Sequence, residues 1–316
     1  MILSCGEALI DLLPRTTADG EAGFSPYPGG AVFNTAIAIG RLGVASGFFS
    51  GLSTDMLGQM LSASLAAAGV DTTLAVRSGH PTTVAFVGLA DGQATYAFYD
   101  ENTAGRMLTL ADLPELPDGV DTLFFGGISL VNEPAAGTYE SLQARESGAR
   151  VTMIDPNFRT AFVDAQDALS PGTRDTYMAR VRRMMEQADI VKLADDEIAS
   201  VFGVADHGAF ARGLLAQGPR LVCVTQGVRG VTAYAPAGVE VHMPAPDITV
   251  VDTVGAGDTF NAGLLVALHR GGLLTRSAIA ALTRDQIADA LSLGTRAAAI
   301  TCSRAGANSP WAHEVV

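Results

Sequence analysis

The chain has 316 residues, 48% of them hydrophobic, and a formal net charge of −13. That length allows one large domain or two modest ones, with volume for a sizeable core. A surface this acidic repels phosphate backbones and anionic lipid, which argues against nucleic acid and membrane as partners.

The three cysteines, Cys5, Cys223 and Cys302, are odd in number and widely spaced, so neither a metal cluster nor a disulfide framework follows from them. Cys5 and Cys223 lie in apolar runs and read as reduced core residues, which fits a cytoplasmic setting. Met1 to Leu13 is apolar, but it lacks a basic lead and is interrupted by Glu7 and Asp11, so it reads as a strand and not a signal peptide. No apolar run is long enough for a bilayer span.

Ile2–Cys5 is the first expected strand, and a turn and loop follow through Pro14 to Pro28. Gly29-Gly30 opens an amphipathic helix, Ala31 to Leu42, closed by Gly43. A strand near Ser46–Gly51 and a helix from about Asp55 to Ala68, closed by Gly69, come next. Thr82 to Tyr99 breaks the rhythm. It is rich in β-branched and aromatic residues, and Asp91-Gly92 between its halves signals a hairpin turn. It reads as a small β insertion able to cover a site. Strands return near Thr122–Phe125, Val151–Ile154, Ile190–Lys192 and Leu221–Thr225, with helices between them. A hairpin at Val231–Met243 and helices from about Gly255 to His269 and Asp285 to Ala299 complete the chain. Alternating β and α units argue for a mainly parallel sheet covered by helices.

The most informative stretch is Asp252-Thr-Val-Gly-Ala-Gly-Asp258-Thr-Phe-Asn261. Gly255 and Gly257 let the backbone approach a ligand closely, and the free N–H groups of the helix beginning there suit a phosphate or developing oxyanion. Asp258 lies in the first helical turn, where the helix dipole stabilises a carboxylate as an anion. It either accepts a hydroxyl proton beside that hole or serves only as a favourable first-turn acid. The glycines come too late in the chain for a dinucleotide site. A second stretch, Pro28-Gly-Gly-Ala-Val-Phe-Asn34, pairs a diglycine with an amide that can donate and accept. Asp11 and Asn34 are either sugar ligands or helix and turn caps.

Together the two stretches resemble the paired signatures of the ribokinase-like carbohydrate kinases, the phosphofructokinase B family. The resemblance runs from Gly6-Glu-Ala-Leu-Ile-Asp11 to Ser303-Arg-Ala-Gly306. It implies one α/β domain over 1–316, a Rossmann-type αβα sandwich with a β-sheet lid from about 12–28 and 82–100. Asp258 would be the catalytic base, and Gly255, Ala256 and Gly257 the anion hole. Asp11, Gly29, Gly30 and Asn34 would hold sugar hydroxyls. The nucleotide ATP would meet Lys192, Glu197, Thr225, Gly227, Gly230, Thr295 and Ala298. Glu197 would organise Mg²⁺ through water, or else be an exposed helix acid. Ala194 stands where relatives carry Asn, so that side-chain contact is missing. Asp252, with the carbonyls of Val254, Thr301, Arg304 and Gly306, would cage a monovalent cation such as K⁺.

Within the family, Gly6–Asp11, Asp155-Pro-Asn-Phe-Arg159 and Ile300-Thr-Cys-Ser-Arg304 resemble bacterial fructokinases. Asn157 and Arg159 would then reach the sugar, although Arg159 could instead pair with Asp155. The lid carries no Lys or Arg between His80 and Glu101, whereas sugar acids and phosphosugars need cations. A small neutral sugar is therefore expected, with fructose ahead of ketodeoxygluconate or ribose, and Phe98 is expected to face it. A sugar sensor without catalysis would have lost the base or the hole, and both are present. A homodimer through the lid is a further expectation.

Overall fold

The computed structural model describes residues 1–90 and 93–315. The expected Asp91-Gly92 turn therefore lies outside the described residues, as does the side chain of Tyr96. In chain order the elements begin with β1 (Ile2–Cys5), β2 (Leu9–Thr16), β3 (Ala22–Gly29), α1 (Ala31–Arg41), β4 (Ser46–Phe49), β5 (Gly51–Ser53) and α2 (Met56–Ala67). There follow β6 (Val76–Ser78), β7 (Thr83–Ala90), β8 (Gln93–Tyr99), β9 (Thr122–Gly126), α3 (Ala135–Glu146), β10 (Val151–Asp155), α4 (Thr160–Leu169) and α5 (Thr173–Gln187). The remainder are β11 (Ile190–Ala194), α6 (Asp195–Phe202), α7 (His207–Leu215), β12 (Leu221–Thr225), β13 (Val231–Ala235), β14 (Val239–Met243), α8 (Ala256–Arg270), α9 (Arg276–Ala280) and α10 (Arg284–Cys302).

The main sheet has eight strands in the order β14-β13-β12-β11-β10-β9-β1-β4. All neighbours from β12 to β4 are parallel, and β13 and β14 are antiparallel additions at one edge. Apolar residues fill both faces, as a parallel sheet between two helical layers requires. Ile2, Phe124, Met153 and Ile190 pack with α1, α2, α8 and α10 on one side. Leu3, Phe125, Ile154 and Val191 pack with α3, α5 and α7 on the other. This is the helix-covered, mainly parallel sheet expected from the alternating pattern, in the αβα sandwich that the resemblance implied.

A second sheet of four strands, β3-β2-β7-β8, stands off the sandwich. The Thr82–Tyr99 insertion supplies β7 and β8. The other half corrects the sequence reading: Pro14 to Pro28 is not a loop but most of the β2–β3 hairpin, and Asp11 lies on β2 opposite Tyr27 and Ala85. Its prolines hid the strand pattern. Pro26 and Pro28 are tolerated because β3 is an edge strand, with one side of its backbone unpaired. Residues alternate between the two faces of this sheet. Leu9, Asp11 and Phe98 face inward, and Phe24, Phe86 and Tyr99 form an aromatic row outside, with ring centroids 5.1 and 5.5 Å apart. Phe98 also packs against Phe162 of α4 at 4.8 Å.

β1 is the point where the strand order reverses: the chain goes from it to β4 on one side and later to β9 on the other. Such a switch point opens a crevice at the carboxyl ends of the strands. Gly126 at the end of β9 lets the sheet close up there. Its φ is extended and any residue could adopt it, but an added Cβ would lie 2.0 Å from the Asp155 carbonyl oxygen. Gly126→Ala should therefore push β9 from β10 and cost about 1–3 kcal/mol. Urea denaturation checks this, and an unchanged midpoint would show that the strands have slack.

Candidate active site

A cleft of about 410 Å³ lies at this switch point, between the main sheet, the starts of α1 and α8, and the small sheet. Its size is that of a small-ligand site. Asp258 stands at its centre. Gly255, in the left-handed region at φ 78°, forms the N-cap of α8. A Cβ there would meet Ala307 Cβ at 2.6 Å, so glycine is required twice over. Asp252 pins the turn, accepting from Val254 N at 3.0 Å and Gly306 N at 2.8 Å. Ala256, Gly257 and Asp258 make up the first turn, where N–H groups lack helical partners.

Asp258 is 8% exposed and accepts a 2.9 Å bond from Asn34 Nδ2. Burial raises its pKa to about 7, opposed by the Asn34 bond, reinforced by the Asp155 charge and offset in part by Arg159 and Lys192. The first-turn position favours the anion expected from sequence, and the loss of solvent acts against it. A carboxylate with a pKa near neutrality is suited to take up a proton in a reaction. Thr35 Oγ1 adds a 3.3 Å bond to the Asp258 carbonyl, so α1 and α8 are joined at their starts.

The diglycine positions α1. Gly30, at φ 111°, brings the chain so close to the Glu7 carbonyl that a Cβ would sit 3.0 Å from it. A Cβ on Gly29 would meet Asp11 Oδ2 at 2.4 Å. Asp11 is half-buried, and desolvation raises its pKa to about 6 against the pull of Arg159. Asp11, Gly30, Asn34, Asn157 and Arg159 line the cleft, as does Phe98, expected there from the lid strand, while Gly29 packs against the Asp11 carboxylate without lining it. Asn157 adopts a left-handed φ of 43°, a conformation that side-chain-bearing residues seldom hold.

Several groups escaped the sequence reading or sit elsewhere than it placed them. Arg159 makes no salt bridge to Asp155. That carboxylate pairs instead with Lys192, with Nζ–Oδ2 at 3.0 Å, and accepts 2.7 Å from Asn261 Nδ2. Lys192, expected at the nucleotide, lines this cleft beside Gly255 and Gly257, the expected anion hole. A lysine within the apolar run of a parallel strand was the available signal, since a buried ammonium needs a partner. Asn261 ends the quoted glycine-rich string, one turn beyond Asp258. Glu7 lines the cleft at 7% exposure, whereas the sequence offered it only as an acid interrupting the first apolar stretch and as part of a string. Glu197 is not an exposed helix acid: its oxygens accept from Phe158 N at 2.7 Å and Ala194 N at 2.8 Å.

The other nucleotide candidates lie outside the cleft. Thr225 Oγ1 bonds the Leu193 carbonyl at 3.3 Å. Gly227 and Gly230 have φ of 56° and 98°, and a Cβ on Gly230 would meet the Met243 carbonyl at 2.1 Å. Thr295 bonds carbonyls of its own helix, and Ala298 is half-buried on α10. Of the cation cage, Asp252, Val254 and Gly306 are brought together. Thr301 directs its hydroxyl to Thr259 and its carbonyl to Arg304 N, while the Arg304 guanidinium holds Glu314. Among the described residues no group of three or more His, Cys, Asp or Glu could hold a metal ion. Mg²⁺ carried on phosphates does not need one, because it keeps most of its waters, and Glu197 could meet it only through such a water.

Residues 1–314 match the pfkB family carbohydrate kinase pattern. The chain is 49% identical over 288 residues to a fructokinase of Rhizobium leguminosarum bv. trifolii, spanning 91% of this chain and 85% of that one. The crystal structure of fructokinase with bound ATP from Xylella fastidiosa superposes with a TM-score of 0.86 at 29% identity, over 99% of this chain and 96% of that chain. A fructokinase from Vibrio cholerae O395, in fructose, ADP and calcium ion bound form, gives 0.81 at 25% identity over 97% and 94%. With its sandwich, its small sheet and an acid set at the start of α8, this chain belongs to the pfkB family of carbohydrate kinases.

Proposed function

We infer that this carbohydrate kinase transfers the terminal phosphoryl of ATP to the 6-hydroxyl of fructose, with Asp258 as the base. The observation that carries the reading is the Asp258 carboxylate, held by Asn34 beside the open first turn of α8, in a cleft of sugar size. Relatives named fructokinases support the choice of sugar. So does the charge of the cleft. Glu7, Asp11, Asp155 and Asp258 outnumber Lys192 and Arg159 among its lining residues, a balance that disfavours a sugar acid or phosphosugar.

The sugar sits between Asp11, Gly30 and Asn34 on one side and Phe98 on the other, with the small sheet acting as a lid. Asp11 and Asn34 take hydroxyls, and the Phe98 ring covers an apolar face of the sugar. Asp258 removes the proton as the hydroxyl oxygen attacks, and the N–H groups of Gly255 and Gly257, joined by that of Ala256 as it exchanges the Thr253 carbonyl (3.2 Å) for the ligand, receive the charge of the transferring group. The nucleotide runs past Thr225, Gly227 and Gly230 toward Thr295 and Ala298. Mg²⁺ supplies charge neutralisation on the phosphates when bound, with Glu197 near its waters. Asp252, Val254 and Gly306 offer a monovalent cation a place behind the hole. Three free cysteines fit a cytoplasmic enzyme.

The outer row of the lid, with Phe24 54% and Tyr99 60% exposed, is the surface through which a second copy would pair. In Phe86→Ser the row is broken, and light scattering should show monomers where the parent chain is dimeric. A parent chain that is monomeric at micromolar concentration removes the dimer.

A coupled ADP-release assay with fructose, ribose, glucose, ketodeoxygluconate and fructose 6-phosphate, in potassium and in tetramethylammonium buffers, tests the assignment. Fructose should lead the panel, and Asp258→Asn should lower kcat by about 10²–10⁴. Sugar binding without turnover in the parent chain would make it a sensor.

Because Asp258 must be deprotonated to act, kcat/KM for fructose should rise with pH to a plateau above about 7, the pKa given by its burial. A profile already flat from pH 5 would mean that another group takes the proton.

A further inference from the structure

Lys192 has an environment that a structural ion pair does not explain. It lies in the middle of β11, where Val191 and Leu193 on either side enter the core shared with α5 and α7. Alternation along the strand therefore directs Lys192 toward α8. It is 5% exposed. Burial alone would lower its pKa, but Asp155, Glu197 and Asp258 hold it above the usual lysine value, so the ammonium stays charged. A buried pair of this kind seldom stabilises a fold more than apolar residues of the same size would.

Its surroundings point to the anion hole. Asp155 Oδ2 holds Nζ at 3.0 Å and is itself fixed by Asn261 at 2.7 Å, while Asp155 Oδ1 accepts from Asn157 N at 3.1 Å. Gly257 is the second observation. Its φ is not in the left-handed region, so its backbone does not require glycine. The one atom within 4 Å of a Cβ built there is Lys192 Nζ, at 3.2 Å. Glycine at 257 thus keeps the ammonium within reach of the first-turn N–H groups of α8. The other cation lining the cleft, Arg159, is exposed at the start of α4.

We propose that Lys192 is a catalytic residue of the phosphoryl transfer, its ammonium carrying the charge of the transferring group in the hole, with Asp155 and Asn261 as positioning residues. The proposal rests on the kinase reading above. The bond from phosphorus to the sugar oxygen forms as the bond to the bridging oxygen of ADP breaks. The hydroxyl proton passes to Asp258, and Lys192 keeps its protons throughout. In the resting state Asp155 balances the ammonium. In the transition state the equatorial phosphoryl oxygens share it, an interaction stronger there than with bound ATP.

The test is the double variant Asp155→Asn with Lys192→Met, which removes both charges and leaves no lone buried ion. It should melt near the parent temperature and keep KM for the sugar within about threefold, while kcat falls about 10²–10³-fold. A kcat within tenfold of the parent chain, or a loss confined to KM, overturns the proposal. If the double variant does not fold, Lys192→Ala assayed with added n-propylammonium decides the question: amine-dependent recovery of kcat upholds the role, and its absence overturns it. Turnover of fructose by the parent chain tests the kinase reading separately, since the proposal concerns only the ratio of variant to parent.

Discussion

The bond from Asn34 to Asp258 spans 224 residues of chain and joins the two helix starts that make the site. Most of the local architecture follows from the need to bring them together. α1 reaches its place because Gly30 turns the chain against Glu7, and α8 because Gly255 packs against Ala307. Asp252 anchors the second turn to the loop after α10. A half-buried amide facing a buried carboxylate restrains both side chains, since a buried carboxylate left unpaired would cost about 1–3 kcal/mol. Asp258 is therefore placed by the packing of helices far apart in the chain, and the glycines that look like binding motifs are first of all the means of that packing.

The second ordering element is Asp155. It ends β10, meets Gly126 of β9 through its backbone, and holds Lys192 of β11 and Asn261 of α8 through one carboxylate oxygen. Three adjacent parts of the sandwich thus converge on a single acid at the carboxyl edge of the sheet. The arrangement gives the floor of the cleft one ion pair braced by a neutral amide, while its roof, the small sheet, meets the sandwich through apolar contacts, Phe98 on Phe162 among them.

Much of this could be read in the sequence. Period-two and helical patterning located the strands and helices of the sandwich because each buries a regular apolar face. Gly255 to Asp258 and Gly29 to Asn34 stood out because helix starts carry short-range signals. What was hidden is long-range. The β2–β3 hairpin pairs a proline-bearing strand with a proline-rich edge strand, so its local signals argued against strand. The Lys192–Asp155 pair joins residues 37 apart, and only the alternation of an apolar strand hinted that Lys192 needed a counter-ion. Arg159 was offered Asp155 as a partner because the two are close in sequence, but the strand end and the start of α4 turn them apart.

The desolvated carboxylate at the centre of the site also sets how the fold responds to acid and alkali. Asp258 holds its proton more tightly in the folded chain, with a pKa of about 7 against the usual 3.8, and Asp11 does the same at about 6. By linkage, each contributes stability that is complete below about pH 4 and is lost as pH rises through the folded value. Once Asp258 is ionised, its buried charge opposes folding. The fold is then held together against a charge in its own cleft, and a ligand hydroxyl donating to the ionised acid would return part of that stability.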